Sequence, residues 1–160
     1  MITIRPIQKN DDPYLKQLIQ ELLKSYQLDI PGTAYFDPEL AHLSDFYQAS
    51  KARQYFVALN DQQEVVGGAG IATYDSQNKV AELQKLYVAE KAQGHHLSYQ
   101  LLDKAMQFAK EVGYQQVYLE THHKLESALH VYRAYGFTEL SAPLKKAEHS
   151  EMDYFFVLSV

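Results

Sequence analysis

The chain has 160 residues, of which 46% are hydrophobic and 22% charged, and this length fits one domain over residues 1–160 with a single core. A formal charge of -5 without any basic block speaks against nucleic acid as the main partner, and a small cation is easier to accommodate. With no cysteine, disulfides, thiolate zinc and a cysteine nucleophile are excluded, and no apolar run approaches the roughly 20 residues of a membrane-spanning helix.

Residues 2–7 alternate as a strand, and no basic stretch followed by an apolar one precedes them, so a cytoplasmic location is expected. Asp11, Asp12 and Pro13 then mark a helix start, and the spacing predicts a helix over 14–26. Pro31, Gly32 and Pro38 make the next segment a loop, with Asp37-Pro38 opening a second helix to about residue 50. Residues 54–59 and 65–74 read as two strands joined by a turn at Asn60-Asp61, and 80–88 as a third, which together make an antiparallel meander. Leu97, Leu101, Leu102, Ala105, Met106, Ala109 and Val112 recur at helical spacing before Gly113. Residues 116–121 alternate as a strand, with Val117, Leu119 and Thr121 on one face. Leu125, Ala128, Leu129, Tyr132 and Tyr135 mark a further helix halted at Gly136, and strands follow near Phe137 and at 154–158. The pattern predicts an α/β fold with a mixed, mostly antiparallel sheet flanked by helices, in which the unit over 80–121 is parallel with a right-handed crossover.

Ala92-Gln93-Gly94-His95-His96-Leu97-Ser98 lies between a buried strand and a long helix. Amides at a helix N-terminus point outward and carry a partial positive charge of about half a unit, so such a turn suits an anion; strand-to-helix turns also hold glycine for purely steric reasons. His95-His96 and His122-His123 raise the question of a metal. Adjacent histidines on a helix or strand point apart and no His-x-x-x-His pair is present, so no metal site is expected.

The run Glu82-Leu83-Gln84-Lys85-Leu86-Tyr87-Val88, the loop at 92–98, Tyr118-Leu119-Glu120-Thr121 and the run from Ala128 to Phe137 resemble the GNAT acetyltransferases in order and spacing, over about residues 64–139. The resemblance implies a GNAT-type acyltransferase fold and an enzyme that moves an acetyl group from acetyl-CoA to a primary amine of a small metabolite, amino acid or peptide, by direct transfer in a ternary complex. It implies that Leu86, Tyr87 and Val88 bond the pantetheine arm through their main chain. Gln93, Gly94, His95, His96, Leu97 and Ser98 would then wrap the pyrophosphate, and an amide of Leu86 or Val88 would hold the developing oxyanion. Tyr132 would protonate the leaving thiolate, a transfer suited to a phenol with a pKa of about 10, and Glu82 would take the ammonium proton. The alternatives for these two are a packed core aromatic and a solvated strand carboxylate.

Two departures from the family pattern stand out: His96 replaces a glycine of the phosphate loop, and Leu125 stands where an Asn is common. They open a second reading, an acyl-CoA-binding module of the same fold with impaired catalysis. The tyrosines at 26, 35 and 47 fall in the lobe that frames the acceptor pocket in these enzymes. Related enzymes are frequently dimers, so a homodimer is among the expected states, and neither nucleic acid nor membrane is an expected partner.

Overall fold

The computed structural model describes residues 1–145 and 151–160. The chain runs through β1 (Thr3–Pro6), α1 (Asp12–Ser25), α2 (Leu43–Gln48), β2 (Gln54–Leu59), β3 (Val65–Asp75), β4 (Val80–Val88), α3 (Leu97–Val112), β5 (Gln116–Thr121), α4 (Glu126–Tyr135), β6 (Thr138–Leu140) and β7 (Tyr154–Ser159). The strands form one sheet in the order β1-β2-β3-β4-β5-β7-β6. All neighbours are antiparallel except β4 and β5, which run parallel on either side of α3, as the sequence pattern predicts.

Alternation along the strands gives the sheet two apolar faces. On one, Leu97, Leu101, Leu102, Ala105 and Ala109 of α3 and Leu129 of α4 pack on Val66, Leu83, Val117 and Leu119. On the other, Leu15, Ile19 and Leu23 of α1 pack on Val57 and Leu59 together with Tyr47 and Tyr55. Leu15, Leu101 and Leu102 are wholly buried, and each side chain of this kind contributes on the order of 2 kcal/mol through removal from water.

Two features differ from the sequence expectation. The second early helix, expected from residue 38 to about 50, is instead a 3-10 turn (Pro38–His42) followed by the six-residue α2, and a further 3-10 turn (Ala34–Phe36) lies in the loop ahead of it. Asp37 is extended ahead of Pro38, as a residue before proline must be, and His42 leaves helical geometry at φ -137. The short α2 is tied to α1 by Asp12, whose carboxylate accepts from Ser44 N at 2.9 Å and Ser44 Oγ at 2.6 Å.

The second difference is a bulge in β4. Gly68 pairs with Tyr87 and Gly70 with Gln84, so Lys85 and Leu86 together face Ala69, and Lys85 takes φ 51. β4 also parts from β5: pairing stops at Glu82 beside Tyr118, although β4 continues to Val88 and β5 to Thr121. A wedge therefore opens at the carboxyl ends of the two parallel strands, where open α/β sheets bind ligands.

Candidate active site

The larger of two cavities at this wedge has a volume of about 360 Å³. Leu86, Tyr87 and Val88 of β4 form one wall; Gln93, Gly94, His96, Leu97 and Ser98 close one end; Ser127, Ala128, His130 and Val131 stand opposite on α4, with Leu22, Leu23 and Tyr26 from α1. Every residue expected to hold the donor lines this cleft except His95, whose exposed side chain lies outside it.

The turn at its end is built from backbone geometry. Gly94 has φ 83, and a Cβ there would meet nothing within 4 Å, so the main chain is open to an approaching group. Gln93 turns its side chain inward, donating from Nε2 to the carbonyl of Val88 at 3.0 Å, and so closes the loop onto β4. His96, in the place of the expected glycine, adopts the left-handed conformation (φ 61, ψ 18) as the N-cap of α3. Its imidazole is exposed and tilted against Tyr99 at 5.9 Å between ring centroids, and both residues line the cleft. The first amides of the 16-residue α3 have no acceptor within the helix, which gives this end of the cleft the donors and partial charge that a diphosphate requires.

A smaller cavity of about 90 Å³ shares Leu23, Leu86, Tyr87, Leu125 and Ala128 with the larger one. Glu82 and Tyr132 line this second cavity and not the larger cleft, so the two candidate proton carriers stand on the far side of the shared wall from the phosphate loop. Glu82, half-buried, accepts from Gln84 Nε2 at 2.8 Å, and Gln84 Oε1 in turn accepts from the hydroxyl of Tyr47 at 2.7 Å. Tyr132 is 6% exposed, with its ring edge-on to Phe137 at 5.7 Å and tilted to Phe156 at 5.9 Å. Burial pushes its phenol above the ordinary range, so the hydroxyl holds its proton at neutral pH. Burial does the same to Tyr87, with the nearby Tyr132 as a further cause.

Sequence reasoning missed three charged residues of this cavity: Glu39, Lys85 and Glu120. Glu120 was accessible from period two, since it shares with Tyr118 and Glu82 the face opposite Val117 and Leu119, and Tyr118 donates to its Oε2 at 2.8 Å. Lys85 comes into the cavity through the bulge, and Glu39 through a 3-10 turn that carries no periodic signal. Of the three tyrosines in the acceptor lobe, Tyr26 lines the larger cleft, Tyr47 is buried and acts through Gln84, and Tyr35 packs on Phe36.

His122 and His123 lie beyond β5, with rings 4.2 Å apart, and Asp153 comes up beside them. His123 Nδ1 is bonded to Asp153 Oδ2 at 2.5 Å, while His122 Nδ1 accepts from Lys124 N at 3.1 Å. The groups that could each offer a metal ligand lie within 4.8 Å of one another. Both Nδ1 atoms are engaged by protein partners.

A meander leading into a split parallel pair, with a helix N-terminus at the split, defines an acyltransferase architecture. The family model of the acetyltransferase (GNAT) family matches residues 15–137. The uncharacterized N-acetyltransferase YjgM of Escherichia coli (strain K12) is 31% identical over 152 residues, covering 94% of this chain and 90% of its own. The crystal structure of a GNAT-family acetyltransferase from Staphylococcus aureus Mu50 superposes with a TM-score of 0.88 at 25% identity, over 99% of both chains. A phosphinothricin acetyltransferase from Sinorhizobium meliloti, solved in complex with acetyl-CoA, shares the fold with a TM-score of 0.77 at 18% identity, over 99% of this chain and 88% of its own. The chain belongs to the GNAT family and is an acetyl-CoA-dependent acyltransferase. Among the described residues, no helix is long and apolar enough to cross a membrane.

Proposed function

We propose that this enzyme transfers an acetyl group directly from acetyl-CoA to a primary amine, with the donor in the larger cleft and the amine in the smaller cavity. The observation that carries this reading is the shared wall: Leu86 and Tyr87 border both cavities, with the loop amides at one end and Glu82 and Tyr132 at the other. The exposed main chain at Gly94 and the start of α3 fit a diphosphate, and the edge at Leu86–Val88 fits an amide-bearing arm. When bound, acetyl-CoA supplies the acetyl group as a thioester.

Glu82, directly or through water, takes a proton from the incoming ammonium so that a neutral nitrogen can attack. The main-chain amide at Leu86, displaced from the ladder by the bulge, is oriented before reaction and stabilises charge on the carbonyl oxygen. Tyr132 gives its proton to the departing sulfur, and its buried setting keeps that proton in place until the thiolate forms. No residue forms a covalent intermediate.

Thiol release measured across a panel of primary amines tests this. The change Tyr132→Phe is expected to lower kcat by on the order of 10- to 100-fold with little change in affinity for acetyl-CoA. An unchanged kcat removes Tyr132 from the acid role. Cofactor binding without thiol release for every amine favours instead an acyl-CoA-binding module.

A further inference from the structure

The proposed base is held by two side chains that take no part in the proton transfers described above. Gln84 stands two residues from Glu82 on the same face of β4, and its Nε2 donates to Glu82 Oε1 at 2.8 Å. Its Oε1 accepts from the hydroxyl of Tyr47 at 2.7 Å. An ionised carboxylate only accepts, so it turns the amide nitrogen of Gln84 toward itself and leaves the amide oxygen to a donor, the phenol of Tyr47. The direction of the chain is therefore fixed, from Tyr47 to Glu82.

Packing shows that the place of the phenol is built. Tyr47 comes from α2, is 1% exposed and borders neither cavity. Its hydroxyl lies against Gly70, which pairs with Gln84 across β3 and β4; a Cβ on Gly70 would lie 2.6 Å from that oxygen. A residue without a side chain leaves the phenol this path. Burial above all, and then Tyr55 and the carboxylates Glu39, Glu82 and Asp37, hold the phenol above its ordinary range, so it remains a donor at neutral pH.

Resting on the reading that Glu82 is the base, we propose that Gln84 and Tyr47 are its positioning residues, holding the carboxylate in one orientation and favouring its ionised form. An amide passes no proton onward, so the proton taken from the ammonium stays on Glu82, and the chain acts through orientation and the charge-assisted bond. Removing the donor disfavours the charged form and raises the pH at which Glu82 takes up a proton. The other titratable groups around Glu82 are Tyr74 of β3, Tyr118 and Glu120 of β5, Tyr132 of α4, and Glu39 and Lys85. The phenols of Tyr74, Tyr118 and Tyr132 are all raised by burial and keep their protons below about pH 9. Glu39, Glu120 and Lys85 are common to parent and variants, so a difference between the two reports the chain.

The titration of Glu82 is followed by carbon NMR of its side-chain carboxyl, the signal being the one lost in Glu82→Gln. It is compared in the parent, Gln84→Met, Tyr47→Phe and the double variant, whose amide spectra report folding. Gln84→Met is expected to raise the midpoint by about 0.5–1 pH unit and Tyr47→Phe by less, with no further rise when the second change is added to the first. Thiol release is measured with the most rapidly acetylated of n-butylamine, glycinamide and lysine. In both single variants kcat is expected to fall at least about threefold, with KM for acetyl-CoA within about twofold, because neither residue borders the donor cleft. Unchanged midpoints in the folded variants overturn the proposal, and if one single variant does not fold the other decides. Additive shifts in the double variant overturn the action of Tyr47 through Gln84. Thiol release by Glu82→Gln as fast as by the parent overturns instead the reading of Glu82 as the base, whatever the titration shows.

Discussion

His96 carries a left-handed backbone at the mouth of the donor cleft, a conformation that costs a side-chain-bearing residue about 1 kcal/mol relative to glycine. Its exposed imidazole rests against Tyr99, so the cost of that backbone falls on folding. The change His96→Gly is therefore expected to leave the dissociation constant for acetyl-CoA within threefold, as read by calorimetric titration; a tenfold tightening would mean that the imidazole crowds the phosphates. The candidate site was legible where motifs carry it. Gly94, Gln93, Glu82 and Tyr132 stand in runs with fixed spacing, and the fold brings them to adjoining cavities. Glu39 and Lys85 were not legible, because a 3-10 turn and a bulge carry them inward, and neither leaves a mark in hydrophobic periodicity.

Among the elements, β3 and β4 depend on missing side chains. A Cβ at Gly68 would lie 2.4 Å from Cε1 of Tyr55, whose ring is wholly buried and whose hydroxyl donates to the carbonyl of Lys85 at 2.8 Å. That bond fixes the bulge on the strand that borders both cavities. The ring cannot retreat without breaking it, so Gly68→Ala is expected to destabilise the protein by about 2 kcal/mol, measured by urea unfolding. It is also expected to lower kcat/KM, because the bulge shifts with the ring; a loss under 0.5 kcal/mol would show that Tyr55 has room to move. Strands and long helices were readable from periods of 2 and 3.6, and β2, β5 and α3 end where the pattern does. The short α2 was overestimated because its extent is set by Pro38, His42 and the tie from Asp12 to Ser44, and the last of these is a contact 32 residues away in sequence.

At the scale of the whole molecule, the buried phenols of Tyr47, Tyr55 and Tyr132 are all pushed above the ordinary tyrosine value by burial. Their neutral forms are favoured in the folded state, so the stability they contribute is complete below the unfolded pKa of about 10 and is lost as pH rises beyond it. Unfolding free energy is expected to be flat from these groups up to about pH 9. It should then fall by as much as about 1.4 kcal/mol per pH unit for each phenol, visible as proton release on unfolding at pH 11; a flat profile to pH 11 would show that these rings ionise in place. The sheet order was only partly legible: the parallel crossover over β4, α3 and β5 follows from chain rules, whereas the parting of β4 from β5 after Glu82 leaves no mark in the periodicity of either strand. That opening is where the donor is proposed to bind, and heating the protein with and without acetyl-CoA tests it most directly. At a concentration 100 times the dissociation constant, binding to the folded state alone adds about 2.7 kcal/mol, or a rise of about 5–10 °C in Tm for a chain of this size. A rise of that order is expected, and an unchanged Tm at millimolar acetyl-CoA would contradict it.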